Sequence, residues 1–199
     1  MQKEDLLRSL KNQGFSEKII KAFEKVERKN FIPRKTKIYA YEDTALSIGY
    51  GQTISQPYTI AFMLSLLELG NKQKILEIGS GSGYVLALIN ELSKNSKIYG
   101  VERIKELAES SQKILKNKKN IQIIHGDGSK GLKKEAPFDK ILVSAASDEI
   151  PQKLITQLKI GSVLVAPVRN SIIQVKKFTN ENKVKEFPGF VFVPLIEGD

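Results

Sequence analysis

Between residues 74 and 168 the chain alternates short apolar runs with helical patterns, and this alternation restricts the fold more than any other feature. Residues 74–78, 97–101, 121–124 and 140–144 read as strands. Residues 84–92, 104–115 and 152–158 read as helices, the last begun by Pro151. Strand–helix repetition of this kind predicts an α/β fold built on a doubly wound, mainly parallel sheet. Strands at 163–168, 171–178 and 190–195 bring the sheet to seven, and the short turns among them predict an antiparallel edge.

Upstream, Leu6, Leu7 and Leu10 share a helical face that ends at Gly14. Ser16 reads as the N-cap of a second helix with Ile19, Ile20, Phe23 and Val26 on its buried side. These two helices form an N-terminal appendage closed by Arg28-Lys29-Asn30-Phe31-Ile32-Pro33. Residues 35–57 are loop-rich, and Tyr50-Gly51-Gln52-Thr53-Ile54-Ser55-Gln56-Pro57 reads as a shaped loop rather than a strand. Pro57 suits the first turn of a helix carrying Ala61, Met63, Leu64, Leu67 and Leu69. The reading is one domain over residues 1–199, with helices and a substrate loop in 1–57 and an α/β core in 58–199.

Gly79, Gly81 and Gly83 follow the first strand of the alternation and precede a helix, so backbone can approach a ligand there without Cβ interference. A dinucleotide fingerprint would need glycine or alanine at position 84, which is Tyr84. On its own the spacing also fits a plain tight turn. Carboxylates at the strand ends narrow the choice. Glu102 ends the second strand, ~20 residues beyond the glycines, where an acid can accept both ribose hydroxyls of a nucleoside. Asp127, in His125-Gly126-Asp127-Gly128, ends the third strand, where a carboxylate can meet an adenine amino group. Glu77 sits inside an apolar strand, a costly place for an acid without a partner. His125 reads as a strand-end residue.

The run Leu76-Glu77-Ile78-Gly79-Ser80-Gly81-Ser82-Gly83 resembles the first motif of S-adenosylmethionine (AdoMet) methyltransferases. Nearly the whole chain, through Gly51-Gln52-Thr53-Ile54-Ser55-Gln56-Pro57 above all, resembles the protein-L-isoaspartate (D-aspartate) O-methyltransferase family. That resemblance implies a Rossmann-like AdoMet-dependent fold. It also implies methyl transfer to the free carboxylate of L-isoaspartyl and D-aspartyl residues, with S-adenosyl-L-homocysteine as product. The methyl ester then closes to a succinimide, which starts repair. It places the active-site serine at Ser55 and cofactor contacts at Gln52, Thr53, Ile54, Glu77, Gly79, Ser80, Gly81, Glu102, Asp127, Gly128 and Ile196. No metal is implied. Ser55 is read as orienting the acceptor carboxylate, with capping of the following helix as the alternative. Ser47, Ser80 and Ser144 depart from residues common in the family.

Composition limits the rivals. The chain has no cysteine and one histidine, which excludes a thiolate nucleophile and leaves little for a zinc site or a serine–histidine–aspartate triad. Residues 1–40 hold 11 basic against 5 acidic side chains, out of a net charge of +10. Lysines dominate that excess without interleaved aromatics, so no nucleic-acid partner is expected. Residues 143–147, Val-Ser-Ala-Ala-Ser, offer no aromatic to stack a flipped base. A binding module without chemistry would not need the 53–57 loop beside the glycine turn. No apolar stretch reaches the ~20 residues of a membrane span, and the N-terminus lacks the apolar core of a signal peptide. A cytoplasmic monomer acting on isoaspartyl proteins and peptides is expected.

Overall fold

A computed structural model describes residues 1–196 and 198. Its centre is a seven-stranded sheet: β3 (Lys74–Ile78), β4 (Lys97–Glu102), β5 (Ile121–His125), β6 (Phe138–Val143), β7 (Leu158–Val168), β8 (Ser171–Lys176) and β9 (Lys183–Pro188). The strand order is β5-β4-β3-β6-β7-β8-β9. The first five in that order run parallel, and β8 and β9 add antiparallel pairs at the edge. Strand order reverses between β3 and β6, which opens a crevice beyond their carboxyl ends.

Alternation along β3 shows how the layers form. Ile75 joins an apolar cluster with the N-terminal helices, while Leu76 and Ile78 face the opposite layer. The first layer holds α1 (Lys3–Asn12), α2 (Glu17–Lys25), α3 (Pro57–Leu66), α4 (Tyr84–Leu92) and α5 (Lys105–Leu115). The opposite layer uses α6 (Gln152–Thr156), through Leu154 and Ile155. Ser16 caps α2 by accepting from Ile19 N, and Pro57 occupies the first turn of α3, as the sequence predicts.

Three expectations need correction. Residues 50–57 do not form an isolated loop: β1 (Leu46–Gly49) and β2 (Gln52–Ile54) pair as an antiparallel hairpin. Tyr50 and Gly51 both take positive φ (55° and 71°), the backbone a two-residue hairpin turn requires, and Ile48 and Ile54 bury one face. The helix predicted over 152–158 ends early because Gln157 is tied down. Its carbonyl accepts from Phe138 N (2.8 Å) and its side chain bonds Leu132 N and Lys130 O, so β7 starts at Leu158. The last strand is Lys183–Pro188, not 190–195. Lysines and a glutamate suit a solvent-facing edge strand, and the apolar 190–195 segment instead crosses the mouth of the crevice. It is held there by Ala146 N to Val193 O (2.8 Å) and Leu195 N to Ala146 O (2.6 Å).

Candidate active site

The glycine turn is built by backbone geometry. Gly79, Gly81 and Gly83 all have positive φ, and the amides of Gly79 and Ser80 both donate to Val101 O. A Cβ on Gly83 would lie 2.9 Å from Leu115 Cδ1, so glycine is also what lets α4 seat against α5. Glu102 clamps the turn from β4: Oε2 accepts from Gly81 N (2.7 Å) and Oε1 from Ile104 N (2.8 Å). This leaves its remaining lone pairs toward the cavity that Gly79, Gly81 and Glu102 line together.

That cavity also takes in Gln52 and Thr53 from the hairpin, Gly128 after β5, and Ile196. At Gly128 a Cβ would come within 2.6 Å of Ile78 Cγ2, so close packing there demands glycine. Asp127 does not line the cavity. Its Oδ1 caps Ser129 N (2.8 Å) and its Oδ2 accepts from Gly198 N (3.3 Å).

A second, adjoining chamber holds the rest of the set: Ile54, Ser55, Glu77 and Ser80. Glu77 is 1% exposed; its Oε1 accepts from Ser144 Oγ (2.8 Å) and its Oε2 has no partner. Burial pushes its carboxyl up to about 8, with the Ser144 hydrogen bond pulling down and the charge of Glu102 pushing further up. A buried carboxyl oxygen without a donor costs free energy unless a ligand supplies one. An ammonium would do so, and the methionine end of AdoMet carries one, so the residues present fit that cofactor.

The chamber opens on an acceptor-side cleft lined by Ser55, Gln56 and the 189–193 segment. Thr53 and Ser144 border both cavities and the cleft, so cofactor and acceptor spaces meet at these two residues. Ser55 is half-buried, and its hydroxyl makes no hydrogen bond among the described residues. Nor does Ser55 cap α3. The cap position is Gln56, and Asp43 Oδ1 takes Tyr58 N (2.8 Å) in its place.

A sequence profile described as Protein-L-isoaspartate(D-aspartate) O-methyltransferase (PCMT) matches residues 1–199. The chain belongs to that family. Among curated members, the protein-L-isoaspartate O-methyltransferase of Ignicoccus hospitalis is 40% identical over 98% of this chain and 97% of its own. Protein-L-isoaspartate O-methyltransferase 2 of Archaeoglobus fulgidus is 47% identical over 92% of this chain and 86% of its own. A solved protein-L-isoaspartate O-methyltransferase superposes with a TM-score of 0.90 at 27% identity, covering 99% of this chain and 66% of that longer one. A Plasmodium falciparum structure described as a beta-aspartate methyltransferase, in complex with S-adenosyl-L-homocysteine, gives 0.83 at 26% identity over 98% of both chains.

Within this isoaspartyl methyltransferase fold, the sequence reading missed several wall residues. Ile48 lies in a stretch whose composition reads as loop, although its spacing from Ile54 across the turn signals a hairpin. Ser144, a departure from the family pattern, bonds Glu77 and borders both cavities and the cleft. Arg28, buried behind the acceptor loop, and Asp43, on the cleft wall, gave no sequence signal of these places. His125 is exposed and bonds Arg103 O (3.1 Å), a strand-end role.

Proposed function

We infer that this protein is an AdoMet-dependent carboxyl O-methyltransferase that esterifies the free carboxylate of L-isoaspartyl, and D-aspartyl, residues in damaged proteins and peptides. The resulting ester closes to a succinimide and so begins repair. Bound AdoMet supplies an already activated methyl group on a sulfonium. The acceptor carboxylate, with a pKa of roughly 4, is ionised at neutral pH, so no general base is required. What remains for the chain is orientation and exclusion of water.

The observation that carries this reading is the meeting of cofactor cavity and cleft at Thr53 and Ser144, beside the unengaged Ser55 hydroxyl. Ser55 would donate to the acceptor carboxylate and aim it. Glu77 would hold the cofactor's ammonium, Glu102 its ribose and Gly128 the face of its base. Gln52, Thr53, Ile54, Gly79, Ser80, Gly81 and Ile196 would form the walls, and Asp127 would reach the adenine edge beside its cap on Ser129. An extended peptide fits the cleft along 190–193, where main-chain pairing would ignore most side chains, as a repair enzyme requires. On the same reading the enzyme is a cytoplasmic monomer with no nucleic-acid partner. Among the described residues no helix is long and apolar enough to cross a membrane.

The deciding experiment is base-labile methyl transfer from labelled AdoMet to an isoaspartyl peptide, beside the same peptide with normal aspartate. Transfer to the isoaspartyl peptide alone is expected. Transfer to both, or to neither while AdoMet binds, would refute the acceptor assignment.

A further inference from the structure

An anion must enter a space whose charged walls are acids. Among the described residues lining the inner chamber and the cleft, the charged ones are Glu77 and Asp43. No lysine, arginine or histidine lines either. A fixed positive charge lies behind the wall, within hydrogen-bond reach of the Ser55 carbonyl. Arg28, in the 3-10 turn Arg28–Phe31, is fully buried. Its guanidinium makes no ion pair among the described residues and is held by four carbonyls instead. Nη1 donates to Ala40 O (2.9 Å) and Glu42 O (3.1 Å), and Nη2 to Thr44 O (2.9 Å) and Ser55 O (3.1 Å). Burial lowers its pKa to about 10, which still leaves it charged at neutral pH.

The two Nη2 contacts have a geometric consequence. They sit just beyond the open end of the β1–β2 hairpin, one on each flanking segment. In a trans peptide the carbonyl and the following N–H point opposite ways. Fixing Thr44 O and Ser55 O on Arg28 therefore turns the amides of Ala45 and Gln56 away from the guanidinium. Both residues line the cleft, and neither amide has a hydrogen-bond partner among the described residues. The positive ends of two peptide dipoles are thus set by one buried cation. Asp43 opposes it: the carboxylate faces Arg28 electrostatically, lines the cleft, and is held by Tyr58 N (2.8 Å) and Gln56 Nε2 (3.2 Å).

We propose that Arg28 is a positioning residue for methyl transfer: by holding the carbonyls of Thr44 and Ser55 it presets the acceptor loop and gives an anionic acceptor a buried positive charge behind Ser55. The inference rests on the reading of the Ser55 cleft as the acceptor site. Arg28 touches neither reacting atom; it acts through the peptides it holds. Asp43 is its counterweight, reducing the attraction while it caps α3.

The test compares two peptides identical except at one group: an isoaspartyl peptide and its isoasparaginyl counterpart, in which the acceptor carboxylate is a neutral amide. Binding of each is measured by calorimetry on the full chain with S-adenosyl-L-homocysteine present. The variants are Arg28→Gln, Arg28→Lys, Asp43→Asn and Ser55→Ala. Arg28→Gln is expected to cut the preference for the anionic peptide about tenfold, the scale of one unit charge roughly 12 Å away at an effective dielectric of about 20. Affinity for S-adenosyl-L-homocysteine should stay within about twofold. Arg28→Lys keeps the charge without the fork and should restore part of the preference. Asp43→Asn keeps one acceptor oxygen for Tyr58 N, the Gln56 amide can turn to accept from the new amide nitrogen, and the preference should rise severalfold. A loss in Arg28→Gln confined to the anionic peptide and partly restored by Arg28→Lys is what a purely structural role does not produce. Equal weakening toward both peptides in Arg28→Gln overturns the proposal. If that variant does not fold, an unchanged or lowered preference in Asp43→Asn overturns it. Unchanged turnover in Ser55→Ala would instead remove the acceptor-cleft assignment itself, and this inference with it.

Discussion

Glu77 concentrates the electrostatics of the site in one side chain. Its strand is buried on both faces, so water cannot solvate the carboxylate, and the Ser144 hydroxyl satisfies one oxygen of two. Burial first, and the charge of Glu102 after it, raise the carboxyl to about 8, above the ~4.3 of an unfolded glutamate. A raised folded-state pKa means the fold binds the proton more tightly than the unfolded chain does. The stabilisation is fully present below the unfolded value and disappears as pH climbs through about 8. Stability without cofactor should therefore fall across pH 5 to 8, and Glu77→Gln should flatten that fall. Urea unfolding at pH 5, 6.5 and 8 checks it; parallel slopes for the two proteins would refute the assignment. The same exchange should weaken AdoMet binding, because an amide gives an ammonium no charge. Wild-type binding near pH 7 should release about one proton, read by calorimetry in buffers of different ionisation enthalpy.

At the scale of elements, sequence patterns were faithful where burial sets the period and silent where a chain segment is placed by partners elsewhere. Strands β3 to β6 and helices α4 and α5 were legible because apolar runs of the right length can only be buried. Strand β9 was not, since its Lys183, Lys185 and Glu186 face solvent on an edge and carry no apolar signal. Segment 190–195 misled for the opposite reason. It is apolar because Phe190 stacks on Phe62 (centroids 5.3 Å apart, planes 14° apart), not because it joins the sheet. In the site, residues of the glycine turn and of β2 line the same two cavities. Arg28 and Asp43 were illegible because their partners, main-chain carbonyls for Arg28 and Tyr58 N with the Gln56 amide for Asp43, lie 12 to 27 and 13 to 15 residues away, which no local spacing encodes. The placement of 190–193 yields a prediction of its own. Val191 is 93% exposed, and the amides of Val191 and Phe192 have no partner among the described residues. If substrates pair with this backbone, Val191→Pro removes a donor that the fold itself does not use. The peptide KM should rise about five- to tenfold, the value of one net hydrogen bond, while Val191→Ala should leave it nearly unchanged. Equal KM values for all three proteins would exclude main-chain docking at this position.

Across the whole molecule, the cofactor cavity is a meeting of segments far apart in sequence: the hairpin at 48–53, the ends of β3 and β4, the turn at Gly128, the loop after β6, and residues 193–196. The sheet ends and the glycine turn are fixed by strand pairing and by the Glu102 clamp. The hairpin has one strand partner only, itself, and 193–196 is tied chiefly through Ala146. These two walls have the fewest bonds to the rest of the fold, so they are where a ligand adds most order. A ligand bound to the folded state alone stabilises it by about 2.7 kcal/mol at a hundred times its Kd. For a chain of this length that corresponds to roughly 5–10 °C in Tm. The gain should not be spread evenly. Hydrogen exchange with S-adenosyl-L-homocysteine bound should slow most at 46–54 and 193–196, less at 79–83, and little in α1 or β9, which share no residue with the cavity. Slowing confined to 79–83 would mean that the hairpin is not a wall of the cofactor site. The loop carrying Ser55 would then be ordered by the acceptor rather than by the methyl donor.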